Sequence, residues 1–211
     1  DSDESRGLGD VYKRQMADKL ELNIKEVHLS PFLTDIHSLM RLAAKDKDLV
    51  FDVIAETKIP EVIETDPTRL RQVLINLVSN AVKFTDTGAI TVTVEVRPPA
   101  PGKANERLHF IVEDTGIGMP PHKLDKIFQP FEQIEDIMRA NHGGAGLGLA
   151  ISRELVAKLG GSISVDSVFG KGSRFSFSID PGDISEQSRT QLALKPPSRA
   201  EANNLDLQVT G

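Results

Sequence analysis

Hydrophobic and polar positions divide the middle of the chain into strand and helix patterns. Segment 89–97 (A-I-T-V-T-V-E-V-R) alternates strongly, as a half-buried strand does. Segment 66–85 instead spaces its apolar residues three and four apart, which is the period of an amphipathic helix. Asp66 is a suitable N-cap, and Pro67 falls at the first helical position, where a missing N–H costs nothing. The apolar face of this helix is predicted to hold Leu70, Val73, Leu74, Leu77, Ala81 and Phe84.

Similar patterns predict the remaining elements. Ser30-Pro31 opens another long helix, a short helix lies near 122–127, and a further helix runs from about 149 to 159. The apolar side of the helix that follows Pro31 is predicted to hold Phe32, Leu33, Ile36, Leu39, Met40 and Ala43. Strands are predicted at 21–29, 49–55, 62–65, 108–113, 162–167 and 173–179. Helices among mostly hairpin-connected strands indicate an α+β sandwich, a mixed, mostly antiparallel sheet with helices packed on one face.

Both ends of the chain lack these patterns. Residues 1–15 show no sustained period, and the composition from Pro181 onward is polar with few large apolar groups. We therefore expect a frayed linker over 1–19, one folded domain over 20–180, and a disordered tail or linker over 181–211.

Composition and charge exclude several classes of function. The 211 residues carry a net charge of −6, which argues against a nucleic-acid scaffold. The absence of cysteine excludes disulfides and thiolate zinc sites. No apolar run approaches the roughly 20 residues of a membrane span, so we expect no membrane contact by this chain.

A polar stripe borders the apolar face of the 66–85 helix. Asn76, Asn80 and Lys83 stand at i, i+4 and i+7 and therefore lie on one side of it. Asparagine amides at the margin of a core are costly unless they find partners. They either cap neighbouring loops or bind a ligand.

Two glycine-rich segments follow predicted elements. Asp114 ends a strand and precedes Gly116 and Gly118, so a carboxylate that accepts from an amine stands beside backbone that can approach a flat ring. An ordinary Asp-Thr-Gly turn is the simpler explanation if this segment is taken alone. The cluster 144–148 precedes a helix, whose N-terminal N–H groups can cradle phosphates, and a flexible loop is its simpler explanation.

The second cluster also suggests a dinucleotide-binding fingerprint. Gly144, Gly146 and Gly148 precede a helix, and Asp166 follows about 20 residues later. That fingerprint requires a buried strand immediately upstream, and segment 134–142 (I-E-D-I-M-R-A-N-H) is not one. We therefore reject this assignment.

Five segments taken together resemble the ATP-binding boxes of sensor histidine kinases. Those kinases belong to the wider gyrase, chaperone, kinase and mismatch-repair superfamily, and the resemblance covers about residues 20–180. It implies a Bergerat-type ATP-binding fold. The N, G1, F, G2 and G3 boxes correspond in order to N-L-V-S-N-A-V-K-F-T (76–85), D-T-G-I-G-M (114–119), I-F-Q-P-F-E-Q (127–133), G-G-A-G-L-G-L-A-I-S (143–152) and F-G-K-G-S-R-F-S-F (169–177).

The resemblance implies a role for individual residues. Asp114 would read the adenine amino group with Ser173 near it, Asn80 would be a ligand of Mg²⁺, and Lys83 would face the phosphates of ATP. Phe128 and Phe131 would anchor a mobile lid over about 129–143, and they also suit core packing. The expected nucleotide-binding set is Asn76, Asn80, Lys83, Phe84, Asp114, Gly116, Ile117, Gly118, Met119, Phe128, Phe131, Gly144, Ala145, Gly146, Leu147, Gly148 and Ser173.

Three positions bear on the type of reaction. Asn76 stands where the ATP-hydrolysing branches of the superfamily place a glutamate, and a neutral amide cannot act as a general base. We therefore expect ATP to be held unhydrolysed for transfer of its γ-phosphate to another group, which the resemblance implies is a histidine. An ATP-hydrolysing member is the rival enzyme. Gln133 replaces a frequent cationic lid residue and Ala145 a commoner threonine, which leaves open a nucleotide-sensing module without transfer.

The acceptor histidine of such kinases has its own context, a dimerising helix followed by a pattern like E-L-R-T-P. His28, His37, His109, His122 and His142 all lack it, and we expect His37 to lie on the surface. The chain is thus expected to be a fragment, with residues 1–19 as a remnant of the dimerising helix. The implied partners are its own dimerisation and phosphoacceptor domain in a homodimer and a response-regulator receiver. The implied location is the cytoplasm, either free or beneath a membrane-anchored sensor.

Overall fold

The computed structural model describes residues 21–99, 105–130 and 147–194. The helices in these ranges are α1 (Leu29–Lys45), α2 (Pro67–Phe84), α3 (Pro121–Leu124) and α4 (Gly148–Lys158). The strands are β1 (Lys25–His28), β2 (Val50–Ala55), β3 (Ile59–Pro60), β4 (Val62–Thr65), β5 (Ala89–Arg97), β6 (Arg107–Asp114), β7 (Ile163–Val168), β8 (Gly172–Ile179), β9 (Arg189–Thr190) and β10 (Ala193–Leu194).

The main sheet of the described residues has six strands in the order β10-β2-β5-β6-β8-β7. β2 and β5 are parallel, and the other neighbours in this sheet are antiparallel. Two short ladders, β1–β4 and β3–β9, are also antiparallel. α1 lies beside α2, α2 beside α4, and all three contact the sheet. The predicted α+β class with a mixed, mostly antiparallel sheet is confirmed.

Local signals place α2 where the sequence predicts it. Asp66 Oδ1 accepts hydrogen bonds from the backbone N–H groups of Thr68 and Arg69, both at 3.0 Å. These bonds satisfy donors that a helix N-terminus leaves open. The buried face is broader than predicted, because Val78 and Val82 are buried while Phe84 is half-buried. The face is buried at Leu70, Val73, Leu74, Leu77 and Ala81.

The buried face of α1 differs from the prediction. Leu39 is 52% exposed and Ala43 is exposed, whereas His37 is 7% exposed and Ala44 is fully buried. The His37 ring stacks on Phe51 of β2 with 5.4 Å between ring centroids. Burial lowers the pKa of the His37 imidazole, so its neutral form is favoured. The prediction that His37 lies on the surface is wrong, because a flat imidazole packs against an aromatic ring that only the tertiary structure places there.

The segment 181–194 also differs from the prediction of a disordered tail. It contributes β9 and β10, which pair with β3 and β2, and Ile184 is only 1% exposed. Main-chain bonds join it to the domain: Glu64 N donates to Pro181 O (2.9 Å) and Ala55 N donates to Leu192 O (2.7 Å). The boundary predicted at residue 180 is therefore too early, because backbone pairing along the edge of β2 needs few apolar side chains.

Other predicted boundaries agree within a few residues. The strand predicted at 21–29 is shorter, since β1 starts at Lys25 and Leu29 already belongs to α1. Of the helices in the described ranges, none is long and apolar enough to cross a membrane.

The burial of Ile184 predicts that segment 181–194 stabilises the domain. Ile184→Ala is expected to lower the free energy of unfolding by about 2–4 kcal/mol, because it leaves a cavity in the core. Ile24→Ala is the matched control, since Ile24 is 51% exposed and should change stability by less than about 0.5 kcal/mol. Urea unfolding followed by circular dichroism measures both free energies. A loss in Ile184→Ala as small as that in Ile24→Ala would show that Ile184 does not contribute to stability.

Candidate functional site

The Asp114 carboxylate is held at the end of β6. Its Oδ1 accepts hydrogen bonds from Gly116 N (2.9 Å) and from Ser173 N (3.3 Å), and Ser173 is its partner in the β6–β8 ladder. Burial raises the pKa of the Asp114 carboxyl above its ordinary value, against the lowering by these two N–H groups. The Asp114 carboxyl is thus oriented by two backbone N–H groups and partly shielded from water.

Gly116 allows the loop after Asp114 (residues 115–119, the Asp114 loop) to contact the end of α2. A Cβ on Gly116 would overlap Phe84 O and would lie 2.8 Å from Thr85 Oγ1 and 2.9 Å from Asp114 Oδ1. The next residue, Ile117, donates its N–H to Phe84 O at 3.2 Å. A side chain at position 116 would therefore separate the loop from the helix.

Gly118 has a φ of +62° and lies against the β7–β8 hairpin, where a Cβ would overlap Val168 O. Ile117 O accepts from Gly170 N at 2.6 Å in the same hairpin. Both glycines of this loop thus leave space for the backbone of a neighbouring segment, α2 at Gly116 and the β7–β8 hairpin at Gly118. Their contact with a flat ring stays a prediction.

Ser167 connects this loop to the hairpin. Its hydroxyl accepts from Met119 N (2.8 Å), donates to Gly172 O (2.8 Å) and lies 3.0 Å from Ser173 Oγ. Sequence reasoning missed Ser167. The feature that identifies Ser167 is its position opposite Ser173 in the β7–β8 hairpin, and this position is known only from the register of the two strands.

The polar stripe of α2 has two different environments. Asn76 Nδ2 donates to Ser152 Oγ of α4 at 2.9 Å, and a Cβ on Gly148 would overlap Asn76 Oδ1. Ser152 is 1% exposed and was not predicted as a partner. Among the described residues the Asn80 side chain has no hydrogen-bond partner, and it is partly exposed. Asn76 therefore joins two helices, while the Asn80 amide is available.

Lys83 and Phe84 lie at the last turn of α2. Lys83 Nζ is 5.0 Å from the centroid of the Phe84 ring, close enough for a cation–π contact. Both side chains are partly exposed. Both follow Asn80 by about one helical turn. The side chains of Asn80 and Lys83 therefore lie near the same end of α2 as the bond from Ile117 N to Phe84 O.

A groove of about 410 Å³ lies between α2 and α4. It lies beside the Asn76–Ser152 hydrogen bond, since both of these residues line it. Its lining residues are Gln72, Ile75, Asn76, Ser79, Gly148, Ile151 and Ser152.

The remaining predicted positions lie at the edges of the described ranges or beyond them. Phe128 packs edge to face on Phe175, with 6.4 Å between centroids, which confirms a packing role. Leu147 and Gly148 stand at the start of α4. Phe131, Gln133, Gly144, Ala145 and Gly146 lie outside the described residues, as does most of the expected lid.

The donor groups at the site fit a magnesium ion only when it is bound together with phosphate. Within residues 21–99, 105–130 and 147–194, no cluster of His, Cys, Asp or Glu could hold a metal ion alone. Asn80 offers one uncommitted amide oxygen. Mg²⁺ usually takes one or two protein oxygens and completes its shell with water and substrate phosphates. One such oxygen matches that pattern.

Residues 65–183 match the family described as histidine kinase-, DNA gyrase B- and HSP90-like ATPase. The chain belongs to this family. The aerobic respiration control sensor protein ArcB of Escherichia coli K12 is 42% identical over 174 residues, which cover 80% of this chain and 21% of ArcB. The chain thus spans about a fifth of this curated relative.

Solved structures of the ATPase family share the fold. Full-length ShkA in complex with AMPPNP is 32% identical with a TM-score of 0.63, covering 86% of this chain and 34% of ShkA. Histidine kinase ThkA in complex with the response regulator protein TrrA is 25% identical with a TM-score of 0.60, covering 86% and 49%. The predicted resemblance to histidine kinase ATP-binding domains is confirmed.

The raised pKa of Asp114 predicts how this carboxylate affects stability. The pKa of this carboxyl is higher in the folded protein than the ordinary 3.8, which applies to the unfolded chain. The ionised carboxylate therefore destabilises the fold at pH values above the folded pKa, and it has no effect at pH values below 3.8, where both states are protonated. Wild type should therefore lose stability relative to Asp114→Asn as pH rises through that window. Thermal unfolding across pH measures the difference. The exposed Asp166→Asn is the control, and a parallel pH response of both variants would contradict the prediction.

Proposed function

We propose that the chain is the ATP-binding catalytic domain of a sensor histidine kinase. It binds Mg–ATP and transfers the γ-phosphate to a histidine on a dimerisation domain. The observation that carries this proposal is the contact between the Asp114 loop and the end of α2 through the Ile117 N–Phe84 O bond. It supports a single site with an adenine-reading carboxylate on one element and phosphate-facing groups on the other.

At the adenine end, Asp114 is suited to a specific task. Its Oδ1 accepts from two backbone N–H groups, and no described residue donates a hydrogen bond to Oδ2. An ionised carboxylate accepts hydrogen bonds without donating any. Oδ2 would therefore accept from the exocyclic amine of adenine and discriminate against a base that carries a carbonyl there.

At the phosphate end, Asn80 would supply an oxygen ligand to magnesium, and Lys83 would neutralise phosphate charge. Bound magnesium would supply positive charge that stabilises the transferring phosphoryl group. Leu147 and Gly148 open α4, whose first N–H groups suit an anion. Transfer would then depend on positioning and charge neutralisation.

Asn76 favours transfer over hydrolysis. A water-activating base must accept a proton, which a neutral amide cannot do. The Asn76 amide is moreover engaged with Ser152 at the contact between α2 and α4. The domain would thus hold ATP until a histidine is presented.

The partners follow from the same assignment. The ThkA structure contains a response regulator protein, which supports a receiver domain as the acceptor that follows the histidine. The dimerisation and phosphoacceptor domain would make the full protein a homodimer. ATP is the substrate, so we place the domain in the cytoplasm.

The role of Asp114 predicts loss of ATP binding in Asp114→Asn. The asparagine would turn an N–H₂ group towards the adenine amine, and a lost bond to a charged group weakens binding by about tenfold to a hundredfold. Titration with a fluorescent ATP analogue measures the affinity, with Asp166→Asn as the control of equal charge change. Wild-type affinity in Asp114→Asn would overturn the assignment.

The role of Asn80 predicts a magnesium-specific defect in Asn80→Ala. Mutation of groups around a metal typically costs about 10–100-fold in affinity, so the gain in ATP affinity on adding Mg²⁺ should fall at least tenfold. Affinity measured in EDTA should change little, which separates this effect from misfolding. An unchanged response to Mg²⁺ would contradict the role.

Transfer itself is tested with a supplied dimerisation domain of a related kinase. Phosphorylation of its histidine from labelled ATP is the expected result. Steady phosphate release by the domain alone would favour the hydrolysing rival. Normal ATP binding without transfer to any supplied domain would favour a nucleotide-sensing module.

A further inference from the structure

The C-terminal end of α2 lacks the glycine cap that often satisfies the last carbonyls of a helix. Thr85, its C-cap, is extended with φ −111° and ψ 120°. The final carbonyls of a helix have no partner within the helix, so donors must come from elsewhere. At this end they come from two other segments of the chain.

Lys47 is the first donor. Its ammonium donates to Val82 O (2.9 Å), Thr85 O (3.1 Å) and Lys83 O (3.2 Å). An ammonium carries three N–H donors, so these three carbonyls account for all of them. Asp86 Oδ1 lies 3.8 Å from the same nitrogen, and a cation at a helix C-terminus is further favoured by the helix dipole.

The backbone of Lys47 is itself held by the end of α1. Lys47 N donates to Ala44 O (3.1 Å), and Leu49 N donates to the same oxygen (3.0 Å). Asp48 between them has a φ of +55°, which turns the chain sharply into β2. Leu49 is buried, so this turn has little freedom, and the lysine stem starts from a fixed point.

The Asp114 loop is the second donor, through the bond from Ile117 N to Phe84 O. Thr85 is fully buried, and its Oγ1 has no partner among the described residues. This oxygen lies 2.8 Å from the point where a Cβ on Gly116 would stand. Thr85 is therefore a close neighbour of Gly116, so a shift of the helix end at Phe84 and Thr85 would be passed to the loop after Asp114 through the bond from Ile117 N to Phe84 O.

We propose that Lys47 is a positioning residue of the nucleotide site. Its ammonium fixes the last turn of α2, and thereby fixes Lys83 relative to the Asp114 loop. Lys47 acts through these carbonyls and makes no contact with the nucleotide. The inference rests on the proposed function for its effect on ATP, while its effect on the loop is independent of ATP.

Lys47→Met tests this proposal in the full chain, because it keeps the apolar stem and removes the donors. ATP affinity should fall by roughly tenfold, the lower end of the loss seen when a residue that only orients a ligand-binding group is removed. The amide NMR signals of Gly116 and Ile117 should shift as well. Lys45→Met is the matched control, because Lys45 is an exposed lysine of the same charge at the end of α1, two residues before Lys47.

A purely stabilising role predicts a different result. Lys47→Met would then melt earlier while keeping wild-type ATP affinity and unshifted Gly116 and Ile117 signals, which would overturn the proposal. If Lys47→Met does not fold, Lys47→Arg replaces it. The planar guanidinium keeps the charge but cannot aim three donors at these carbonyls, so a smaller shift of the same two signals is expected, and its absence would overturn the proposal.

The wild-type chain and Lys47→Met separate the proposed function from the role of Lys47. Absence of ATP binding by the wild-type chain would overturn the proposed function. The Gly116 and Ile117 signals of Lys47→Met would still decide whether Lys47 positions the loop.

Discussion

The candidate site depends on one contact between distant parts of the chain, the hydrogen bond from Ile117 N to Phe84 O. On one side of it, α2 carries Asn80 and Lys83, and on the other the loop follows Asp114. The contact exists because residue 116 has no side chain, since a Cβ there would overlap the helix carbonyl. A carbonyl at the helix end and an N–H of the loop therefore satisfy each other, and the loop after Asp114 is held against the same end of α2 as Lys83.

The sheet topology explains why these two segments meet. β2 and β5 are parallel, and parallel neighbours require a crossover connection, which here includes α2. That crossover brings the C-terminal end of α2 to the start of β5, and Thr115 N donates to Ala89 O (3.1 Å) at the same level. At one edge of the sheet, β10 pairs with part of β2, so the backbone of β2 is less exposed to pairing with another chain.

Asp114 places an energetic cost at the candidate site. Burial raises the pKa of its carboxyl, so the ionised form is less favourable than in water, even though two backbone N–H groups support it. Such desolvated, oriented carboxylates concentrate at binding and catalytic sites. The Ser167–Ser173 contact lies in the hairpin beside it, and Ser173 N is one of the two donors to its Oδ1.

The amino-acid sequence by itself determined the features that depend on residues close together in the chain. The Asp66 cap, the alternation of 89–97 and the order of the five boxes correctly predicted α2, β5 and the family. Burial and partners were decided by the tertiary structure, as the exposure of Leu39, the buried Ile184 and the three carbonyls capped by Lys47 show. These features depend on elements far away in the chain, and a local pattern contains no information about which element will arrive there.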